Sequence, residues 1–411
     1  MAIGSVIAMT TSTLNRIMVV ELDLAAVVPG LLVALYYALQ LSRPYWGFRS
    51  DSGRRRVPWI IGGVAVLAAG GMLATFGTVL AGTQIGAGLA LAALGFALIG
   101  AGAGAAATTL LALLAVLTQP ERRAAAATIT WLMMIGGIAL TATLMGQFLD
   151  PYSPGRLLRI VAVVCALSLA VSVLSIARLE TEAGTQKEHE PSRTPFRVAL
   201  AEIWSEPSSR RFALFVFLSM IAYSMQELIL EPYAGHVFGF SPGSSTSMAG
   251  MQNGAVLLGV IAVGGLSTGF GIGSLRFWTS VGCIGSACAL AAIAVVGATG
   301  SGTLLLVPVF FLGFANGVFA VSAIGAMMQL AGGREGGREG ARMGVWGGAQ
   351  AVAAGLGGLI GAAGADTMRL VFEQQHLAYG IVFAIEAGLF VVAAFMALSA
   401  LGPPRDFAAA E

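Results

Sequence analysis

The sequence predicts an all-α membrane protein, twelve transmembrane helices arranged as two six-helix halves. Three observations carry that expectation. Of 411 residues, 57% are hydrophobic and only 10% charged, with a mean hydropathy of +0.85, whereas a soluble domain covers its surface with roughly 25% charged residues. Val57 to Pro120 and Phe277 to Gly333 carry no Asp, Glu, Lys or Arg; each is too long for one crossing of a bilayer core about 30 Å thick, which takes roughly 20 apolar residues. The remaining Lys and Arg gather on alternate loops, the pattern of a multi-span chain.

In order, the spans fall at 3–20, 27–42, 59–80, 86–117, 127–148, 157–177, 212–234, 247–270, 277–297, 303–330, 343–364 and 377–400. Ala81-Gly82-Thr83-Gln84 is the polar break that splits the first charge-free stretch, and Gly297 to Gly302 splits the second. The long candidates 86–117 and 303–330 exceed the bilayer thickness and should tilt or project. With the N-terminus inside, the cytoplasmic side holds eighteen Lys and Arg, against Arg156, Arg159 and Arg369 opposite. That bias places both termini in the cytoplasm. Leu179 to Arg210, with Glu182, Lys187, Glu188, His189, Glu190, Pro191 and Pro195, is too polar to form a core and reads as a linker. The expected organisation is a half at 1–178, a cytoplasmic linker at 179–210 and a second half at 211–411. The layout is that of transporters built from two parallel halves. The N-terminus lacks a basic region followed by a cleavable apolar stretch, so no signal peptide is expected, and no polybasic tail suggests nucleic acid.

Ionisable residues inside a membrane cost several kcal/mol (~3 each on insertion scales) unless paired or hydrated, so each is a functional candidate. Arg16 lies in the first span, Glu227 and Glu231 one turn apart in the seventh, and Glu386 near the middle of the twelfth. A weak repeat aligns Asn15-Arg16 before Glu21 with Gln226-Glu227 before Glu231. If the first and seventh helices line a shared cavity, Arg16 and Glu227 lie at similar depth and pair across the halves, as a substrate contact or latch, or as a static pair that fixes register. Glu231 reads as close to the far interface, where a solvated helix end is the simpler account. Glu386 is either a proton-coupling carboxylate or a neutral buried acid hydrogen-bonded to a neighbour.

Gln40, Gln147, Gln252, Asn253, Asn316, Gln329 and Gln350 are expected to face the bundle interior. The spacings Gly100/Gly104 and Gly357/Gly361 read as close-packing sites. Cys165, Cys283 and Cys288 read as packing residues, with no spacing suited to a metal. His236 and His376, near helix ends, could offer an axial imidazole to a magnesium tetrapyrrole, but read more simply as interfacial residues. No nucleophile triad, Walker loop or dinucleotide fingerprint supports an enzyme.

The loop after the second span, Arg43 followed by Gly47-Phe48-Arg49-Ser50-Asp51-Ser52-Gly53-Arg54-Arg55-Arg56, resembles the gating loop of the major facilitator superfamily. There an acid after a glycine turn pairs with basic residues to hold the cytoplasmic gate; plain positive-inside anchoring is the other reading. Thr11 to Leu22, Gln40 to Pro44 leading into Arg55 to Trp59, Gln226 to Gly239 including Tyr233, and Arg342 to Ala351 together resemble the PucC/LhaA family, a bacteriochlorophyll-delivery branch of that superfamily. Glu227 stands where that family usually has Asp. The resemblance implies a major-facilitator-type bundle in the bacterial inner, intracytoplasmic membrane, serving light-harvesting complex assembly. It implies bacteriochlorophyll as cargo rather than bound cofactor, and partners among the lipid bilayer, antenna polypeptides and the pigment-synthesis machinery. Asn15, Arg16, Glu21, Gln226, Glu227, Glu231, Tyr233 and Glu386 would line the pigment path. A proton-coupled transporter of a small solute is the alternative.

Overall fold

The computed structural model describes residues 1–43, 46, 56–117, 123–176, 207–332 and 339–400. Its helices are α1 (Ala2–Glu21), α2 (Val27–Gln40), α3 (Val57–Ala81), α4 (Ile85–Leu117), α5 (Arg123–Leu149), α6 (Pro154–Ile176), α7 (Pro207–Phe238), α8 (Pro242–Gly264), α9 (Leu275–Gly297), α10 (Gly302–Gly332), α11 (Glu339–Val371) and α12 (Gln375–Ala400). Eleven are long and apolar enough to cross a membrane, and α2 is a shorter apolar helix. Each predicted span falls on one of them. The largest discrepancy is α11, which runs to Val371 rather than stopping at 364, because Asp366 and Arg369 belong to its last turns.

Two separate clusters of buried side chains form the two halves. One runs from Val6 to Cys165 and takes only Leu228 from beyond α6; the other lies entirely between Phe212 and Ala397. Within the first half, Gly63, Gly70 and Gly77 of α3 meet Gly102, Gly95 and Gly88 of α4. A Cβ on Gly70 would lie 2.8 Å from the Gly95 carbonyl oxygen and one on Gly77 2.7 Å from that of Gly88. The seven-residue spacing keeps this small-residue seam on one face of both helices over three contacts. Of the pairs singled out in the sequence, Gly357 and Gly361 pack onto the α7 backbone at Ile221 and Met225, and Gly100 onto that of Tyr36. Gly104 meets only side chains at ordinary contact distance.

The halves meet mainly along α2 with α11 and α5 with α8. Each contact ends in the same device. Asp366 of α11 accepts from the backbone N–H groups of Ala26 (2.9 Å) and Val27 (2.7 Å), capping the start of α2 from the opposite half. Asp150, following α5, accepts from the Gly243 N–H at 3.0 Å and from the Ser241 hydroxyl, capping the start of α8. A carboxylate at a helix N-terminus satisfies orphan donors and meets the positive end of the helix dipole. Here it also ties one half to the other, twice, in pseudo-twofold positions at one end of the bundle.

Candidate functional site

Polar side chains of α1 make contacts with the opposite half at four positions among the described residues, and α1 is wound to allow it. Met9–Leu14 and Ile17–Glu21 are π-helical, and such widened turns redirect successive side chains and recur at functional sites. Ser12 donates to Glu231 of α7, and the Thr13 hydroxyl lies 3.4 Å from that of Thr246 on α8. Asn15 Nδ2 donates to the Leu228 carbonyl at 2.8 Å, and Arg16 Nη2 to the Phe240 carbonyl at 2.6 Å.

Arg16 is 2% exposed, and its Nη1 pairs with Glu21 Oε1 at 2.5 Å. The expected ion pair with Glu227 is not formed. The reason is depth: a Cβ on Gly235 would lie 3.2 Å from Arg16 Nη2, whereas Glu227 is eight residues back along α7, about 12 Å at 1.5 Å per residue. Tyr152, in the turn after α5 and outside the spans, lies in the field of the same pair. Burial and then the Glu21 charge push its phenol up, and Arg16 opposes them.

Below that ion pair lies a cavity of about 90 Å³ at the seam, lined by Ser12, Gln226, Glu227, Glu231, Gln252 and Asn316 among others. Glu227 keeps open surface and lines this cavity, with Tyr37 of α2 close to its carboxylate. Glu231 is not a solvated helix end. It is 3% exposed, with Ser12 and Thr246 donating to its two oxygens. Gln226 Oε1 is a buried acceptor with no hydrogen-bond partner among the described residues, as is Asn15 Oδ1 outside the cavity lining. The cavity is therefore rich in acceptors, with two carboxylates one turn apart, and it suits a cation or a donor-bearing group. Its volume is room for a few waters at about 15 Å³ each, well short of the roughly 300 Å³ at which organic-ligand pockets begin.

Other candidates lie elsewhere. Tyr233 donates to the Ile293 carbonyl at 2.9 Å and packs on Tyr379 and Phe383, inside the second half and away from the cavity. Glu386 is fully buried in that half, and neither oxygen has a hydrogen-bond partner among the described residues, so the expected bonded neighbour is not found there. His236 Nδ1 sits 3.0 Å from the Tyr379 hydroxyl, and His376 is half-buried in the first turn of α12. Gln252, Asn253 and Asn316 do line the cavity, but Gln147 is exposed on the surface of α5. Cys288 is likewise exposed. Of the expected gating loop, Arg43 is exposed and donates to Gln40, while Gly47, Asp51, Gly53, Arg54 and Arg55 lie outside the described residues. No group of three or more His, Cys, Asp or Glu suited to a metal occurs among the described residues. Ser12, Thr246, Tyr37, Asp150 and Asp366 escaped the sequence reading. Only the two aspartates had a usable signal, an acid at the end of a span beside a helix start.

A family model described as "PUCC protein" matches residues 13–403. The chain belongs to the PUCC family. The chain is 54% identical over 97% of its length, and 92% of the relative's, to the "Bacteriochlorophyll synthase 44.5 kDa chain" of Rhodobacter capsulatus. It is 28% identical to the "Protein PucC" of Rhodovulum sulfidophilum over 90% of its length and 84% of that protein's. Among solved structures it superposes on a D-xylose-proton symporter with a TM-score of 0.73 at 13% identity, covering 96% of this chain and 95% of that one. A bacterial homologue of the lysosomal transporter Spinster gives 0.71 at 15% identity, covering 97% and 94%. At those identities the likeness is one of fold, and the fold is that of the major facilitators. The chain is thus a multi-pass bacterial membrane protein with a photosynthesis-related role.

Proposed function

We propose that this protein is a non-enzymatic assembly factor of the photosynthetic membrane, which delivers bacteriochlorophyll to antenna polypeptides or chaperones them. The observation that carries this reading is the likeness, over nearly the whole chain, to a relative named as a bacteriochlorophyll synthase chain and to proteins named PucC. On this reading the halves are 1–178 and 211–411, the linker and both termini are cytoplasmic, and antenna polypeptides and pigment-synthesis enzymes are the partners. A cavity of about 90 Å³ is too small for a tetrapyrrole, so the pigment meets the lipid-facing surface, or the interior only after the halves part. The acceptor-rich cavity then serves the conformational cycle rather than the cargo.

Deleting the gene should remove an antenna absorption band and leave the cell's free bacteriochlorophyll content intact; unchanged antenna spectra would overturn the reading. A second reading, proton-coupled transport of a small solute, is favoured by Glu227 and Glu231 lining the cavity. Proton-driven uptake by reconstituted vesicles, with normal antennae in the deletion strain, would establish it instead.

A further inference from the structure

A second concavity lies away from the seam. It is a groove of about 710 Å³ on the lipid-facing side of the first half, where α5 and α6 splay apart over α1. Its walls are Leu140, Leu144 and Phe148 on one side and Ile160, Val163 and Leu167 on the other. In its floor the Thr141 hydroxyl donates to Ser5 Oγ at 2.8 Å. The aliphatic and aromatic walls fit hydrocarbon.

One end differs. Arg156 and Arg159 line the groove where it reaches the end of the bundle that carries Asp150 and Asp366. Arg156 Nη1 donates to the carbonyls of Asp150 (2.5 Å) and Pro151 (3.0 Å), and Arg159 Nε to that of Gly155 (3.3 Å). These partners are neutral and leave the positive charges uncompensated; neither arginine meets a carboxylate at ion-pair distance among the described residues. The third basic residue at that end, Arg369, lies 4.0 Å from Asp366. Of the chain's few Lys and Arg on this side, the two without a carboxylate partner thus share the mouth of one apolar groove, with guanidinium forks held in place by backbone carbonyls.

We propose that this groove is a binding site for an anionic glycerophospholipid, its phosphate held by Arg156 and Arg159 and an acyl chain lying between α5 and α6. Guanidinium groups bind phosphate oxygens in bidentate fashion, and two of them at a membrane surface favour an anionic over a zwitterionic headgroup. The length agrees. Leu167 is eleven residues beyond Arg156, about 16 Å along the helix, which is the depth of one leaflet of a hydrocarbon core about 30 Å thick. A tetrapyrrole ester carries no anionic group to answer the arginine pair. The site is separate from the seam cavity and its assignment does not depend on the function proposed above.

The test is native mass spectrometry of the full chain, reconstituted in bilayers of equal phosphatidylglycerol and phosphatidylethanolamine and released into mild detergent. Wild-type protein should retain phosphatidylglycerol selectively. Arg156→Gln/Arg159→Gln should lower that retention about tenfold or more, and Arg156→Lys/Arg159→Lys should keep an intermediate share. Val163→Trp leaves both arginines in place but fills the groove, and should also lose the lipid while the melting temperature stays near that of wild type. Equal retention of both lipids, retention unaffected by the Gln pair and by Val163→Trp, or a bound bacteriochlorophyll absorption band lost in these variants in place of a lipid would overturn the proposal.

Discussion

Arg16 is where charge and burial are most sharply opposed, and its energetics follow from which partner can reach water. Arg16 is 2% exposed and Glu21 32%. Removing Glu21 strands a buried cation, whereas removing Arg16 leaves an anion that can hydrate. Glu21→Ala should therefore destabilise the protein by roughly 1–3 kcal/mol, below the roughly 3–5 kcal/mol of a fully buried pair because Glu21 is partly solvated. Arg16→Met/Glu21→Ala should recover much of that loss, which thermal unfolding in detergent will read as non-additivity. The charge exchange Arg16→Glu/Glu227→Arg should rescue nothing, since the two side chains do not meet. The sequence singles out Arg16, Glu227, Glu231 and Glu386 as candidates because insertion into lipid makes any unpaired charge costly. It could not assign partners: depth along a helix depends on how α1 crosses α7, and the π-helical turns of α1 alter that register without a signature in composition. Glu231 was misplaced for the same reason, since its donors come from α1 and α8 rather than from its own helix.

At the scale of elements, helix existence was legible and helix contacts were not. Charge-free length gave the twelve helices, while the Gly63/Gly70/Gly77 seam on α3 was lost among 56 glycines until α4 supplied the matching faces. Gly70→Leu should cost about 1–3 kcal/mol by overpacking against Gly95 and Ile99. Gly62→Leu, with nothing within 4 Å, should leave the melting temperature close to wild type. The caps at Asp150 and Asp366 join elements of different halves, so they do more than finish a helix. Each Asp→Ala change should cost about 1 kcal/mol as a lost N-cap. It should also raise the reactivity of a cysteine placed at Asn253 toward an impermeant thiol reagent added from the Asp150 end, in a background lacking the native cysteines. The double variant should react fastest. Unchanged labelling in all three would show that these caps stabilise helices without holding the seam.

The whole molecule joins two apolar halves through a seam that is unusually polar for its surroundings: hydroxyls of Ser12 and Thr13, the Arg16–Glu21 pair, two aspartate caps and two cavity carboxylates. Polar contacts in lipid are individually modest, about 0.6 kcal/mol in measured cases, and many small contacts release more readily than one interlocked apolar core. Such a seam fits halves that part and reclose, the motion expected of a parallel-repeat transporter fold. That motion can be arrested at one place. The Thr13 and Thr246 hydroxyls are 3.4 Å apart across the seam, so Thr13→Cys/Thr246→Cys puts two sulfurs within reach of a bond, given the Cβ separations near ~3.8 Å that disulfides favour. Oxidation should lock the halves and abolish antenna assembly, reduction should restore it, and neither single cysteine should respond to oxidant. Antennae that assemble normally on a fully oxidised double variant would mean that the cycle does not pass through the seam, and that the protein acts as a rigid surface on which pigment and polypeptide meet.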